Sequence, residues 1–496
     1  MTITKHTSIS QSINRSESTV NSLEQRNVLY EKFRSKIIHN PCLDRTLVSF
    51  QGNKESKFSW FKYREGFSEK LVQYLIETFK PQPGILLDPF SGVGSSLFAA
   101  SNLGWDAFGI ELLPVGYFAI QARLTAQDIN SKILNIVIAE IKKNNFSDYY
   151  DSNFVFKHLA ITSGAFSESQ EAELVGYISY CHQHITDDKI RKILLYAAFC
   201  ILEDISYTRK DGQYLRWDTR SGRSKGKKEF NKGEIFNFRD AVFKKINQII
   251  SDLSNINNVV QLDLFNDNIN LQITHKKNNI HVYQGSCLDI LPKFKNNNID
   301  FIITSPPYIN RYDYTRTYAL ELAFLGCSEE EVKSLRQAML SCTVENRDKR
   351  IFLEKLYIGM NRYSDFIEID STFKNQAALQ EVVAILDNYR VEGKLNNINI
   401  VRMIRNYFYE MCFVIYELTR VLKPGGVIAM VNDNVQYAGE EIPVDIILSD
   451  FAESFGLMTR YIWTLGRGKG NSSQQMGNHG RSELRKCVYI WEKPVL

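Results

Sequence analysis

A five-residue motif, Thr-Ser-Pro-Pro-Tyr at positions 304–308, combines groups that could position a reacting amine. The motif follows an apolar run directly, and neither proline has an N–H group to give to a neighbouring strand. The hydroxyl of Ser305 and the carbonyl between Pro306 and Pro307 therefore stay available as hydrogen-bond acceptors, and Tyr308 offers a flat ring for stacking. Acceptors of this kind can hold an amine in line with an electrophile. A strand that ends in a proline turn with a packed tyrosine is the alternative.

A second motif, Asp-Pro-Phe-Ser-Gly-Val-Gly-Ser-Ser at positions 88–96, has the glycines needed for a tight turn into a helix. Gly92 and Gly94 let the backbone approach a ligand closely, and the N-terminus of the helix offers unsatisfied N–H groups. Glu111 follows at the end of the next predicted strand, where a carboxylate can bind ribose hydroxyls. The spacing departs from the dinucleotide fingerprint Gly-x-Gly-x-x-Gly, so we expect a nucleoside without a pyrophosphate. A structural turn with a surface glutamate is the alternative.

These motifs lie at the ends of strands in a pattern that alternates strands and helices. An amphipathic helix over residues 67–79, with Ser68 as its cap, precedes the first strand. Lys-Pro-Gly-Gly at 423–426 is expected to separate a long helix from a later strand. About seven strands with helices between them indicate a doubly wound, Rossmann-like α/β sheet. The predicted strands are ILLDPF, WDAFGIEL, NIHVYQG, IDFIIT, VIAMVND, YIWTLG and KCVYIWEK.

Two mainly helical insertions interrupt this pattern. Residues 1–27 are rich in Ser, Thr, Asn and Gln and are predicted to form a disordered or loosely attached tail. The predicted units after the tail are a first part of the core at 28–126, a basic helical insertion at 127–279, the catalytic part of the core at 280–317, a second helical insertion at 318–399 and the rest of the core at 400–496.

The bulk composition indicates a soluble intracellular protein. The 496 residues include 44% apolar and 23% charged side chains, and the formal net charge is +4. Eight cysteines without a Cys-x-x-Cys pair argue against a structural zinc site or a disulfide framework, and for a reducing compartment. Apolar runs fall short of the roughly 18–20 residues that span a bilayer, and the polar N-terminus is unlike a secretory signal. We therefore expect a cytoplasmic protein without a metal site, in which His182 and His184 are surface residues.

Positive charge is concentrated in one stretch, residues 206–233 of the first insertion. Nine lysines and arginines stand against three acidic residues between positions 209 and 232, and aromatic residues are interleaved with them. Such a segment suits phosphate neutralisation combined with base stacking, although a solvated charged loop has a similar composition. Basic residues also follow the Thr-Ser-Pro-Pro-Tyr motif and occur in the polar loop at 465–486. The predicted DNA contacts are Arg209, Lys210, Arg216, Arg220, Arg223, Lys227, Arg311, Arg467 and Lys469.

Together, the two motifs resemble those of the DNA amino-methyltransferases. Residues 88–95 resemble the S-adenosylmethionine-binding motif of that family, and residues 304–308 resemble its catalytic Ser-Pro-Pro-Tyr motif. The resemblance covers about 58–125, 280–316 and 400–493, but neither insertion. The catalytic residues that it implies are Ser305, Pro306, Pro307 and Tyr308. The residues that it implies for the cofactor S-adenosylmethionine are Phe67, Ser68, Asp88, Pro89, Phe90, Gly92, Gly94, Ser95, Glu111, Ser286 and Thr304.

This resemblance implies methyl transfer to the exocyclic amine of a base that has been turned out of duplex DNA onto Tyr308. Serine at position 305 is typical of the members that methylate cytosine N4, whereas Asp or Asn is typical of adenine N6, which remains the alternative. The resemblance also implies a prokaryotic restriction–modification system and association with the nucleoid. It allows a cognate restriction endonuclease as a partner. A catalytically inactive DNA-binding subunit is the alternative from another class. The sequence leaves the oligomeric state open.

Overall fold

The computed structural model of the chain describes residues 24–53, 59–63, 66–210, 215–223, 229–263, 279–465 and 484–495. The first helix begins at Glu24, so the end of the predicted tail is helical. Three of the predicted DNA contacts, Lys227, Arg467 and Lys469, lie outside the described residues.

Twelve β-strands occur in these ranges. In chain order they are β1 (Ile37–His39), β2 (Ile85–Asp88), β3 (Asp106–Glu111), β4 (Thr208–Lys210), β5 (Leu215–Trp217), β6 (Ile280–Gln284), β7 (Ile299–Thr304), β8 (Leu422–Asp433), β9 (Val435–Tyr437), β10 (Glu440–Ile442), β11 (Met458–Thr464) and β12 (Lys486–Glu492).

The α-helices are distributed over the core and both insertions. In chain order they are α1 (Glu24–Phe33), α2 (Arg45–Val48), α3 (Glu69–Phe79), α4 (Ser95–Asn102), α5 (Pro114–Gln127), α6 (Ser131–Ile141), α7 (Glu168–His184), α8 (Asp188–Cys200), α9 (Leu202–Ile205), α10 (Phe238–Asp263), α11 (Cys287–Ile290), α12 (Tyr314–Thr317), α13 (Ala319–Phe324), α14 (Glu329–Ala338), α15 (Arg350–Gly359), α16 (Tyr363–Asn375), α17 (Ala377–Val391), α18 (Ile400–Val421) and α19 (Val444–Ser454). Short 3₁₀ helices occur at Phe50–Asn53, Phe146–Tyr149, Ser152–Phe154, Thr219–Ser221 and Leu291–Lys293.

Eight of the strands form one sheet in the order β1-β11-β12-β8-β7-β2-β3-β6. Strand β12 runs antiparallel to both of its neighbours, and the other pairs are parallel. The predicted α/β class is therefore confirmed, with one strand more than expected. The additional strand β1 has three residues and no buried side chain, so it lacks the apolar run by which a buried strand can be predicted.

Strand β8 also differs from its prediction, because the Lys-Pro-Gly-Gly segment at 423–426 lies inside the strand. At this point Ile299 and Phe301 of β7, which have one residue between them, pair with Leu422 and Val427 of β8, which have four residues between them. The extra residues bulge out of the ladder, which then continues in regular register towards the carboxyl ends of both strands.

Apolar side chains pack in clusters on both faces of the sheet and inside the first insertion. Leu87 and Ile302 belong to a cluster that includes the long helix α18 and much of the second insertion. Leu86 and Phe301 belong to the cluster beneath α3 and α4 on the opposite face, as the alternation of side chains along a strand requires. A third cluster fills the first insertion and includes α13 from the start of the second insertion. No helix among the described residues is long and apolar enough to cross a membrane.

The strand order places a crevice at the centre of the sheet. Strands β3 and β6 continue from one side of β2, whereas β7 and β8 lie on its other side, so the winding direction reverses between β2 and β7. Ligands of doubly wound sheets bind outside the carboxyl ends of the strands at such a switch point. Here those carboxyl ends are Asp88 and Thr304, which belong to the two motifs found in the sequence.

Candidate active site

A cavity of about 370 Å³ opens at this switch point. Its wall is built from the turns that follow β2, β3, β6 and β7, from the ends of β8 and β12, and from the end of α14 in the second insertion. Most of the predicted site residues lie on this wall: Phe67, Asp88, Pro89, Phe90, Gly92, Ser95, Glu111, Ser286, Ser305, Pro306, Pro307 and Tyr308.

The carboxylate of Asp88 joins the two motifs. Its Oδ1 accepts hydrogen bonds from the backbone N–H of Phe90 at 3.0 Å and from the hydroxyl of Thr304 at 2.8 Å. Its Oδ2 accepts one from the hydroxyl of Ser96. Burial raises the pKa of Asp88 to about 6. Thr304 is completely buried and supports the wall from behind through this bond.

The Gly-rich turn places the start of helix α4 against the cavity. Gly92 and Gly94 have φ angles of +55° and +82°, which residues with a Cβ rarely adopt. Gly94 is the N-terminal cap of α4 and does not itself line the cavity. Next to it, the buried Ser95 hydroxyl faces the cavity and makes no hydrogen bond within the described part of the chain.

Glu111 is held at the cavity wall by backbone groups. Its Oε2 accepts a hydrogen bond from the N–H of Gly92, and its Oε1 accepts one from the N–H of Leu113, both at 2.7 Å. Burial raises the pKa of Glu111 to about 8. Gly116 on α5 was not predicted to be part of the site, yet a Cβ there would lie 2.3 Å from the carbonyl oxygen of Gly92. This close approach between a helix and a turn leaves no local signal in the sequence.

Ser68 and Ser286 differ in how they relate to the cavity. The Ser68 hydroxyl accepts a hydrogen bond from the N–H of Leu71 at 3.1 Å and donates one to the carbonyl of Leu47. Ser68 is therefore the buried cap of α3, as predicted for the helix, and the structure places it behind the cavity wall rather than on it. Ser286 does line the cavity, and its hydroxyl donates to the carbonyl of Ala338 at 3.1 Å.

The loop after β7, which we call the catalytic loop (residues 304–313), carries the Ser-Pro-Pro-Tyr motif along the cavity wall. The Ser305 hydroxyl donates a hydrogen bond to the Tyr308 hydroxyl at 3.2 Å. Burial raises the pKa of Tyr308 well above its usual range, so the phenol stays neutral. The loop is anchored behind the motif, because the Tyr437 hydroxyl donates to the carbonyl of Ile309 at 2.8 Å.

Several cavity residues had not been identified from the sequence. Asp433 ends β8 beside the catalytic loop and pairs with Lys486 at 3.2 Å. Like Asp88, it is a carboxylate at the end of a mainly apolar strand, so the same reasoning could have found it. Tyr63, Met339 and Leu340 also line the cavity, and they come from segments in which the sequence shows no motif. Tyr312 and Tyr314, which follow the Thr-Ser-Pro-Pro-Tyr motif and were expected to border the site, line the cavity as well.

The chain resembles known proteins over nearly its whole length. No protein-family model matches it. The type II methyltransferase M.AvaI of Nostoc sp. is 43% identical over 482 residues, which are 97% of this chain and 95% of that protein. The type II methyltransferase M.BsoBI of Geobacillus stearothermophilus is 39% identical over 482 residues, which are 93% of this chain and 92% of that protein. The chain belongs to the type II methyltransferase family. It is accordingly a DNA methyltransferase of a restriction–modification system.

In this methyltransferase, Lys210 lies in the protein interior rather than on a DNA-binding surface. Its ammonium group pairs with the buried Glu321 and lies 3.7 Å from Glu203. The same group lies over the rings of Phe61 and Tyr318. Unlike the other predicted DNA contacts that the structure describes, Lys210 is buried and paired with carboxylates, which keep its charge away from a phosphate.

The other described basic residues in and just after the methyltransferase's small ribbon, β4 with β5, are at or near the surface. Arg209 is exposed, and Arg216 lies over the ring of Phe230 at 4.1 Å. Arg220 forms two 2.8 Å hydrogen bonds with the buried carboxylate of Asp218. Arg223 lies over the ring of Trp217 at 4.4 Å. These contacts give the arginines defined orientations, but no described residue of the first insertion lines the cavity.

Arg311 lies closer to the catalytic motif. It is partly exposed, adopts a φ of +65°, and donates a hydrogen bond from Nη1 to Asn396 at 3.3 Å.

The described residues contain no group of three or more His, Cys, Asp or Glu side chains that could hold a metal ion.

Proposed function

We propose that this methyltransferase transfers the methyl group of S-adenosylmethionine to N4 of cytosine in duplex DNA. The observation that carries the proposal is the position of the Ser305 hydroxyl on the wall of the same cavity as the Gly-rich turn. This hydroxyl donates its only proton to Tyr308, so its lone pairs remain available to accept a hydrogen bond from an amine.

The residues around the cavity fit the parts of S-adenosylmethionine, which would supply an electrophilic methyl group. The turn at Gly92 and the unpaired Ser95 hydroxyl suit the polar methionine end, with Phe67 beside them. Each Glu111 oxygen accepts one hydrogen bond from a backbone N–H and has a second lone pair. The carboxylate can therefore also accept hydrogen bonds from ribose hydroxyls. Ser286, at the end of β6, suits the adenine. A cavity of about 370 Å³ is within the range of small-molecule sites.

Positioning is the main contribution of the catalytic loop in this proposal. The exocyclic amine of a base is a poor nucleophile because its lone pair is delocalised into the ring. Hydrogen bonds to Ser305 and to the carbonyl of Pro306 would draw the amine out of the ring plane and hold its nitrogen in line with the methyl group. Tyr308 is neutral, so it would act through its ring, as a support for a base taken out of the duplex, and through its bond to Ser305.

Cytosine is preferred to adenine because of Ser305. In the family that the motifs resemble, members that methylate adenine N6 usually have Asp or Asn in this position. The acceptor role is common to all three side chains, so a change of base would leave the rest of the proposed mechanism intact.

Duplex DNA would contact the exposed cations outside the cavity. Arg209, Arg220 and Arg223 on the first insertion, together with Arg311 near the motif, are the described residues that we assign to the phosphate backbone. Arg216, which lies over the ring of Phe230, and Lys227, Arg467 and Lys469 remain predicted contacts.

Transfer of label to DNA tests the proposal directly. The purified protein is incubated with duplex DNA and methyl-labelled S-adenosylmethionine, the DNA is digested to nucleosides, and the labelled nucleoside is identified. Label in N4-methylcytosine supports the proposal. Label in N6-methyladenine alone would replace cytosine by adenine, and absence of label from DNA would overturn the proposed reaction.

A Ser305→Ala variant tests the role of the catalytic loop. We expect the rate to fall about 100-fold or more, as is typical when one preorganised hydrogen bond to a reacting group is lost. Ser454→Ala is the matched control, since Ser454 is exposed and its hydroxyl bonds only to a carbonyl of its own helix α19. A Ser305→Ala protein with the wild-type rate would refute the assignment.

A further inference from the structure

One segment of the second insertion touches both halves of the candidate active site. We call residues 338–343 the bridging segment. At one end, Ala338, Met339 and Leu340 line the cavity, and the carbonyl of Ala338 accepts the hydrogen bond from Ser286. The second insertion therefore supplies part of the wall next to the residue that we assign to adenine.

At its other end, the bridging segment holds the catalytic loop. The carbonyl of Cys342 accepts a hydrogen bond from the N–H of Arg311 at 3.0 Å. The thiol of Cys342 donates to the carbonyl of Tyr312 at 3.5 Å. A displacement of the segment would therefore move the catalytic loop relative to the cofactor end of the cavity.

A buried charged network fixes the middle of the segment. The N–H of Ser341 donates to Oε2 of Glu410 at 2.8 Å, and the Ser341 hydroxyl donates to Oε1 at 2.5 Å. The Lys349 ammonium donates to the same Oε1 at 2.8 Å. Glu410 is fully buried on α18, which packs against the sheet.

Stability alone does not explain this network. Replacing a buried ion pair by apolar residues is often neutral or stabilising, because desolvation of the two charges offsets their attraction. The two oxygens of Glu410, however, accept two hydrogen bonds from Ser341 and one from Lys349, and together these bonds fix the position of Ser341. The network is therefore suited to fixing the geometry of the segment above it.

We infer that the bridging segment is part of the active site and that Glu410, with Lys349 and Ser341, is a positioning residue for the catalytic loop. The inference rests on the proposed function and adds to it, because it assigns to the second insertion a direct role in aligning the acceptors at Ser305 and Pro306 with the cofactor. Glu410 touches neither substrate nor cofactor and acts through the backbone of the segment.

The same helix offers a matched control. Glu417, two turns after Glu410 on α18, is also buried and accepts hydrogen bonds from Tyr357 at 2.7 Å, Arg362 at 2.6 Å and Arg420 at 2.6 Å. These partners lie outside the bridging segment and the catalytic loop. Glu410→Gln and Glu417→Gln each replace one carboxylate oxygen by an NH₂ group. Each leaves partly buried cations without their full partner: Lys349 in the first case, Arg362 and Arg420 in the second.

The test compares these two variants with the wild-type protein. We measure the urea midpoint of unfolding, the dissociation constant for S-adenosylmethionine by calorimetry, and kcat and KM for duplex DNA. Both variants are expected to lower the midpoint. Only Glu410→Gln is expected to lower kcat, by about 10- to 100-fold, the effect typical of a misplacement near 1 Å in an active site. The KM for DNA should be unchanged in both.

A milder variant covers the case in which Glu410→Gln does not fold. Ser341→Ala removes one hydroxyl and keeps both the ion pair and the backbone bond to Glu410, so it should fold and show a smaller fall in kcat. A wild-type kcat in Ser341→Ala and Glu410→Gln, or an equal fall in Glu410→Gln and Glu417→Gln, would overturn the inference. A wild-type protein that transfers no methyl group to DNA would instead remove the proposed function, and the inference with it.

Discussion

Gly116 offers a sharp test of how the cavity wall is built. A Cβ at this position on α5 would lie 2.3 Å from the carbonyl oxygen of Gly92 and 2.9 Å from the carboxylate carbon of Glu111. An ordinary contact needs at least 3.4 Å, so Gly116→Ala must displace the helix or the turn by about 1 Å. Because the first of these atoms is backbone, no side-chain rotation can relieve the overlap. Both Gly92 and Glu111 are on the wall assigned to the cofactor.

The expected loss of affinity follows from the hydrogen bonds at stake. In a helix without such contacts, alanine would be more stable than glycine by about 0.5–1 kcal/mol. Here the displaced Glu111 carboxylate, which is charged above its raised pKa of about 8, would lose a bond with the ribose. Above that pH, a hydrogen bond to the charged group contributes about 1.5–3 kcal/mol. Since about 1.4 kcal/mol changes an equilibrium constant tenfold, the dissociation constant of S-adenosylmethionine should rise about 10- to 100-fold. Calorimetric titration of the purified protein measures it.

Two other helical glycines distinguish a local effect on cofactor affinity from a general loss of protein stability. A Cβ at Gly176, in the first insertion, would lie 1.8 Å from the carbonyl oxygen of Phe146, so Gly176→Ala should lower stability and leave the affinity unchanged. A Cβ at Gly359 would have no heavy atom within 4 Å, so Gly359→Ala should leave both nearly unchanged. A Gly116→Ala protein that binds S-adenosylmethionine with the wild-type dissociation constant would refute the reasoning.

Two further predictions follow from buried charges. Burial raises the pKa of Asp88 to about 6 and that of Glu111 to about 8, so between about pH 4 and pH 8 these two groups bind more protons in the folded protein than in the unfolded chain. Their contribution to the urea midpoint of the ligand-free protein should therefore fall as the pH rises through this window, and Glu111→Gln should make the fall between pH 6 and pH 8 smaller. Arg209→Ala should weaken DNA binding and reduce the slope of log K against log[salt] by about 1, whereas Lys210→Ala should leave that slope unchanged and lower stability by about 3–5 kcal/mol. Equal salt slopes for these two neighbouring variants would contradict the assignment.

The site residues that could be predicted from the sequence are those that stand in a recognisable local pattern, at the carboxyl end of a buried strand. Asp88 and Glu111 are the last residues of buried strands, Ser305 directly follows one, and parallel strands bring such ends to one edge of a sheet. The hydrogen bond between Thr304 and Asp88 joins residues 216 positions apart, so the two motifs form one site only because β2 and β7 are neighbours. Recognising the doubly wound pattern was enough to expect that proximity.

Other features of the structure depend on contacts with residues that are distant in the sequence and belong to no recognisable motif. Lys210 belongs to a basic run that is typical of a surface, but its partner Glu321 lies 111 residues away, and only the packing of the two insertions brings them together. Ser68 was predicted both as a helix cap and as a cofactor contact. The hydroxyl is fully engaged by the helix and the preceding loop, so only the first role is supported by its geometry.

The two insertions differ in how closely they are coupled to the chemistry. No described residue of 127–279 lines the cavity, so substitution of its exposed arginines would leave the cavity wall unchanged. The second insertion contributes Ala338, Met339 and Leu340 to the cavity wall, and its backbone holds the catalytic loop through Cys342. Changes of length near the bridging segment would therefore shift the reacting groups themselves.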